Sequence, residues 1–218
     1  TNTSLQTPTG HSSYGIGQIS STSYYGLNGD LAETMVFNTK LTPSQRIIIE
    51  HYLSSKYDVD ISASGNDYYT QEGSGHFHEV FGIGQLSGQA NSVAQGTGAL
   101  EVSNASNLDD NEFLMMGHDN ANFNLFSGDV PSSLPEAERW NRTWRVSETG
   151  EVGTLTLVFD MTDIGFGSPV TSYRLLIDPN QDGNFSDVVS PVTGTFDVQN
   201  QTLTFTNVDL SDGDYFTV

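Results

Sequence analysis

The sequence predicts a mainly β protein: an antiparallel β-sandwich preceded by a segment that carries one α-helix. Three observations predict it. Downstream of residue 66 the apolar residues recur with a period of two, the mark of half-buried strands. Acidic and glycine turn clusters, Asp119-Asn120, Asp182-Gly183 and Asp212-Gly213, punctuate those runs. Only one stretch has the spacing and capping residues of a helix.

Taken in order, residues 31–37 (LAETMVF) alternate well enough for a strand, with Leu27-Asn28-Gly29-Asp30 as the turn before it. Asn38-Thr39 then bridges into a helix over 42–57, where Thr42 and Gln45 suit a capping box and Pro43 takes the first helical position. Its apolar face is read as Ile48, Ile49, Tyr52, Leu53 and Tyr57. The Gly, Ser and Asp content of 58–66 (DVDISASGN) reads as a linker, placing a domain boundary near residue 60. Beyond it, Leu155, Leu157, Phe159 and Met161 alternate with polar neighbours, as do Tyr173, Leu175 and Ile177, and Leu203 and Phe205. Strands of this length in a module over 61–218 indicate a sandwich. GIGQIS at 15–20 recurs as GIGQLS at 82–87 without a fixed repeat period, so it reads as a recurrent turn-and-strand solution.

Composition excludes several function classes. With 7 Lys+Arg against 27 Asp+Glu the net charge is −20, so neither a phosphate backbone nor an anionic membrane suits this surface. No apolar run is long enough to insert in a membrane, and the first residues carry no basic flank followed by an apolar core, so no spanning or signal segment is expected. The 12 Phe, 9 Tyr and 2 Trp are too many for a disordered acidic chain. With no Cys, disulfides are absent and bound cations are the alternative staple. Strong acidity with sparse lysine suits an extracellular protein in salty water.

Residues 26–57 carry Gly29, Asp30, Ala32, Glu33, Phe37 and Asn38 in the strand, then Leu41, Thr42, Arg46, Glu50, Tyr52, Leu53, Lys56 and Tyr57 in the helix. This pattern resembles the closing segment of the concanavalin A-like, laminin-G-like domains of large Bacteroidetes surface proteins. HEVFGIG, LDDNEFLMMGHD, RTWRVSETGEVG and LSDGDYFTV, spread over 78–218, are similar to a module that often follows that domain. The resemblance implies that residues 1–60 are the C-terminal part of a lectin-like jelly roll. It further implies a multidomain adhesin or appendage protein, exported by the type IX route and held at the cell surface. The portion before residue 60 is too short for a complete jelly roll, so other domains, or copies forming a homo-oligomer or filament, are the expected partners.

The most chemical motif is 178–187 (DPNQDGNFSD). Oxygen ligands at every second position with Gly after the third let one loop wrap a hard cation, as in the first half of an EF-hand loop. Asp178, Asn180 and Asp182 are the expected side-chain ligands of calcium, Asn184 would ligate through its carbonyl, and Asp187 would close the site; Val189 stands where an EF-hand has its Glu. The alternative is a solvated Asx turn. On a strand Trp140, Arg142 and Trp144 would share one face, suited either to a glycan or interface or, for Trp144, to the core, with the arginines neutralising Glu136, Glu138 and Glu148. His76 and His78, two apart, would face one side of a strand and could ligate a transition metal with His118 or Glu79, against a plainer structural role.

No nucleophile elbow, zinc-protease helix or Walker loop is present, and GIGQLSG lacks the third glycine of a dinucleotide fingerprint. The expected function is a non-catalytic structural and adhesive module, calcium-stabilised. A carbohydrate-binding module is the alternative, and a fragment of a polysaccharide hydrolase is the third reading.

Overall fold

The computed structural model describes residues 29–96, 99–164, 170, 172–178 and 180–218. The chain divides into two compact units, Thr1–Asn38 and Thr39–Val218. Of the first, residues 29–38 are described; they form no strand, and Leu31, Val36 and Phe37 are 55%, 88% and 45% exposed. The strand expected over 31–37 is therefore not formed among the described residues, since alternation alone gives a strand no neighbour for its N–H and C=O groups. The GIGQIS echo and most of the turn at 27–30 lie outside the described residues.

In the second unit helix α1 (Pro43–Tyr57) starts from the expected capping box: Thr42 Oγ1 accepts the Gln45 N–H and Gln45 Oε1 accepts the Thr42 N–H. Asp58, in the left-handed conformation, ends it. Among the described residues fourteen strands follow: β1 (His78–Leu86), β2 (Gln89–Asn91), β3 (Val93–Gln95), β4 (Leu100–Ser103), β5 (Glu112–His118), β6 (Leu125–Phe126), β7 (Arg139–Trp140), β8 (Trp144–Thr149), β9 (Leu155–Asp160), β10 (Arg174–Asp178), β11 (Val192–Thr193), β12 (Thr195–Asp197), β13 (Thr202–Val208) and β14 (Tyr215–Thr217). They build a seven-stranded sheet, β11-β10-β14-β8-β5-β1-β2, and a five-stranded sheet, β12-β13-β9-β4-β3, while β6 and β7 form a separate ribbon. Every pairing is antiparallel. The expected β-sandwich class is the observed one.

Both lateral edges are closed by chain that changes sheets. β2 pairs with β1 and, across Ser92, β3 pairs with β4; β11 pairs with β10 and, across Gly194, β12 pairs with β13. Sharing an edge run between sheets turns a sandwich corner and shortens the open edges that would template association. Gly194 is required at its corner because a Cβ there would meet the Phe205 and Leu203 side chains.

The core between the sheets holds Ile83, Leu114, Met116, Trp144, Leu157, Phe159, Leu203 and Phe205, with the alternating positions of β9, β10 and β13 on the inward side as expected. The large sheet is also covered on its outer face. Val80, Phe113 and Met115 pack there with Ile47 of α1 and with Tyr69, so β5 is apolar at consecutive positions. Gly82 and Gly84 of the GIG motif are what make this possible: a Cβ at Gly82 would fall on Leu114 O and Met115, and one at Gly84 on the Phe113 ring. The motif that imitates a nucleotide fingerprint is a packing device.

The helix departs from its expected orientation. Its buried residues are Ser44, Ile47, His51, Ser54 and Ser55, while Ile49, Tyr52 and Leu53 are only half-buried. Small hydroxyl side chains allow close approach and take up main-chain groups: Ser44 Oγ donates to Gln89 O at 2.8 Å, and Ser55 Oγ accepts the Val80 N–H at 3.0 Å. His51 Nε2 accepts the Tyr68 N–H at 2.9 Å. The helix thus belongs to the same compact unit as the sheets. The division falls between Asn38 and Thr39, and not at 58–66.

Replacing Gly82 by Ala forces the crowded β1–β5 crossing apart. The expected loss is about 1–3 kcal/mol, or roughly 2–10 °C in Tm, whereas Gly73→Ala, with open space around it, should melt unchanged. Thermal unfolding followed by circular dichroism compares the two, and equal melting would refute the packing role.

Candidate functional site

The 178–187 loop leaves the end of β10 and folds back on itself around Asp178, which is fully buried. Its Oδ1 accepts the N–H groups of Asn180 and Gln181 at 2.9 and 3.1 Å, and its Oδ2 that of Gly183 at 2.8 Å. Gly183 supplies the turn with φ of +79°. Asp182 Oδ1 accepts the Asn184 N–H at 2.8 Å, and Asn184 Oδ1 takes both the N–H and the hydroxyl of Ser186. That engages the Asn184 side-chain oxygen within the turn. Asn180 Nδ2 donates to Asp187 Oδ2 at 2.5 Å, which brings two of the expected ligands together. Pro179 lies outside the described residues. Among the described residues no three His, Asp or Glu side chains stand close enough together to hold an ion as they are placed.

Two acidic residues not singled out from sequence complete the surroundings. Asp214 is 5% exposed; burial pushes its carboxyl up, opposed by the Ser211 N–H and Gln181, while Asp178 and Asp209 add to the rise. Asp129, from a loop distant in sequence, accepts the N–H groups of Phe185 and Ser186 on Oδ1 at 2.7 and 3.1 Å and pairs through Oδ2 with Arg139 Nη2 at 3.1 Å. Nothing in the turn sequence Gly128-Asp129-Val130-Pro131 marks this role. Arg139 lies between the rings of Phe126 and Phe185, 5.0 and 5.1 Å from their centres, and donates to Trp140 O.

Trp140 and Trp144 do share a side, but it is the core side. They are 1% and 0% exposed, 6.3 Å apart, and both pack edge-on to Phe159. A glycan-stacking face needs an open ring, so this pair is a correction to the sugar or interface expectation: it fills the sandwich. Arg142 is directed elsewhere, over the Phe123 ring at 4.5 Å with Nε donating to Ala121 O at 2.6 Å. Arg145 lies over Tyr215 at 4.4 Å. The three arginines thus clip aromatic rings, and Arg139 forms its ion pair with Asp129, not with Glu136 or Glu138.

The histidines do not converge on one point. His76 precedes β1, with Nε2 2.9 Å from Thr143 Oγ1 and Nδ1 3.1 Å from Ser74 O. His78 is exposed and pairs in register with His118, their rings 6.1 Å apart. The buried His118 accepts the Asn120 N–H on Nδ1 at 2.9 Å, so its proton sits on Nε2 and points to Glu79 Oε2 at 2.8 Å. A metal on Nε2 would move that proton to Nδ1 and break the Asn120 bond, which argues against a metal at this pair.

A half-open hollow of about 740 Å³ lies beside the β6–β7 ribbon, lined by Leu125, Val130, Leu134, Tyr173, Arg174 and Leu176 among others. Its lining mixes apolar and charged side chains.

Residues 45–214 match the family described as Domain of unknown function (DUF8202). No curated protein and no solved structure matches the chain. The match begins within α1 and ends at Asp214, inside the second compact unit.

Arg139→Met keeps the apolar packing between the two phenylalanines but removes the Asp129 partner. Stranding a partly buried carboxylate costs about 3 kcal/mol or more, so the variant should melt roughly 6 °C or more below the parent. A change under about 1 °C would remove the ion pair from the account of the loop.

Proposed function

We propose that this chain, which belongs to the DUF8202 family, is a non-catalytic structural and adhesive module of a large cell-surface protein, with a calcium ion held in the 178–187 loop. The observation that carries the calcium reading is electrostatic. Asp178 is fully buried beside the buried Asp214, and no lysine or arginine pairs with Asp178, Asp182 or Asp187 among the described residues. A hard cation offsets such charge where main-chain N–H groups only share it.

Asp178, Asn180, Asp182 and Asp187 would hold the ion through side-chain oxygens and Asn184 through its carbonyl. Closing on it requires the exposed Asp182 and Asp187 to swing inward and the Asn180 amide to turn its oxygen to the ion. The bound ion supplies charge neutralisation and a crosslink between the end of β10 and the 182–187 turn. The structural reading is supported by the use made of the chemically distinctive residues: the GIG glycines, both tryptophans and His51 all serve packing or main-chain bonding.

The adhesive role, the extracellular setting and the partnership with other domains or copies of the same protein rest on the resemblance to surface modules and on the net charge of −20. Carbohydrate binding is the weaker reading because Trp140 and Trp144 present no open ring.

Calcium at a hundred times its Kd should add about 2.7 kcal/mol, or roughly 5–10 °C in Tm over the protein in chelator. Asp182→Ala should abolish the difference while leaving the chelated melt nearly unchanged. Identical melting with calcium and with chelator would sink the calcium reading. Light scattering in the same two buffers reads assembly: calcium-dependent oligomers support the appendage reading, and a monomer in both removes it.

A further inference from the structure

We propose that His118 is an acid-sensitive latch that holds the 119–124 corner over the tryptophan pair. The corner's main-chain donors are satisfied from two adjacent side chains. Asn120 N–H goes to His118 Nδ1 at 2.9 Å, and Ala121 N–H goes to Asp119 Oδ1 at 3.0 Å. Asp119 is fixed in turn by the Thr143 hydroxyl at 2.9 Å, and the corner is tied to the facing 141–142 segment by Asn141 N–H to Asn124 O and Arg142 N–H to Asn122 O. Phe123, carried on this corner, meets Trp140 edge-on at 5.2 Å and Trp144 at 6.1 Å.

The latch works through the two-sidedness of imidazole. Neutral His118 donates from Nε2 to Glu79 and accepts on Nδ1. A second proton can only be added at Nδ1, which turns the acceptor into a donor facing the Asn120 N–H. That hydrogen bond is then lost whatever the charge gains elsewhere. His118 is 2% exposed, so the charge added to the ring is kept from water unless the corner moves.

The groups that face the ring set the direction of its titration. Burial holds its pKa below the ordinary 6.5; hydrogen bonding to Glu79 opposes this, while the charges of Arg142 and His78 act with burial. The Trp144 ring closes the remaining side, edge-on at 6.4 Å. A histidine whose folded pKa is depressed stabilises fully above the unfolded value, and that contribution is lost as pH falls from about 6.5 toward the folded midpoint. The bulge at His78–Phe81, with Glu79 at φ of +50°, aims the carboxylate that tunes this midpoint.

Amide hydrogen exchange of the whole chain, read at Asn120 and at Arg142, whose N–H is bonded to Asn122 O of the corner, between pH 8 and pH 5 and corrected for the intrinsic rate, tests the latch. Protection at both residues should fall at least tenfold on acidification with a midpoint below 6.5, and amides in β9 should keep theirs. His118→Gln, whose amide oxygen can accept but does not titrate, should hold Asn120 protection constant over that range. Glu79→Gln provides the second arm should that variant fold poorly: removing the carboxylate should move the midpoint further down. Constant protection in the parent protein, or a midpoint unmoved in Glu79→Gln, would overturn the proposal.

Discussion

The pairing of β1 with β5, buried on both faces, is the constraint on which the rest of the second unit depends. One face must meet the five-stranded sheet and the other must meet α1 and Tyr69, so β5 has apolar side chains at consecutive positions and β1 has glycine opposite Met115 and Phe113, which face the helix side. That complementarity brings the helix close enough for serine hydroxyls to reach the main chain of β1 and β2. The same crowding accompanies the bulge between His78 and Phe81, where the register of the pair shifts. The bulge leaves the Val80 N–H for Ser55 and turns Glu79 toward His118. Helix seat, bulge and buried imidazole are consequences of one two-faced strand pair.

The alternation of β9 and β13 was legible because each of these strands shows one face to the core and one to a more polar side, where period two is at its clearest, whereas β10 also buries Leu176 on its other face against Phe185 and Val188. The capping box of α1 was legible because it is local, set by Thr42 and Gln45 three residues apart. The face of that helix was not. Hydrophobicity pointed to Ile49, Tyr52 and Leu53, whereas close packing on a sheet selected Ser44, Ser54 and Ser55, whose small size is invisible to a hydropathy pattern. The domain boundary at 58–66 failed for the same reason: polar composition suggested a linker, but His51 and Ser55 bond across it to Tyr68 and Val80.

For the candidate site, spacing was readable and surroundings were not. The loop ligands follow one another along ten residues, so their chemistry can be seen in a line of sequence. Asp129 and Asp214 come from elsewhere and reach the loop only through topology, since β10 pairs with β14 and the β6–β7 ribbon lies beside the turn. The Arg139, Arg142 and Arg145 cluster was visible, but not its use. Kinking of the chain between β7 and β8 sends the three side chains to different aromatic rings, where strand geometry would have sent them to two faces. An acidic protein with few cations thus places these three where an aromatic face and a carbonyl oxygen both hold them, which is worth more than a solvent-screened surface pair.

The net charge of −20 has two unequal parts. Most carboxylates stand in water, where ions at physiological strength screen their mutual repulsion beyond about 8 Å. Asp178 and Asp214 do not, because burial keeps the ionic atmosphere away from them. Raising the concentration of a monovalent salt therefore relieves the surface and leaves the foot of the loop almost untouched. Two things can relieve that foot. One is a proton on Asp214, whose carboxyl burial has already pushed toward the neutral form. The other, on the calcium proposal, is a cation held at fixed distance by the loop itself. The two compete for the same negative charge, so occupancy by a divalent ion should hold Asp214 ionised to lower pH, and acid should release the ion. On that proposal salt, proton and divalent cation act on different parts of one charge distribution, and only the last two reach the part that the fold has taken out of water.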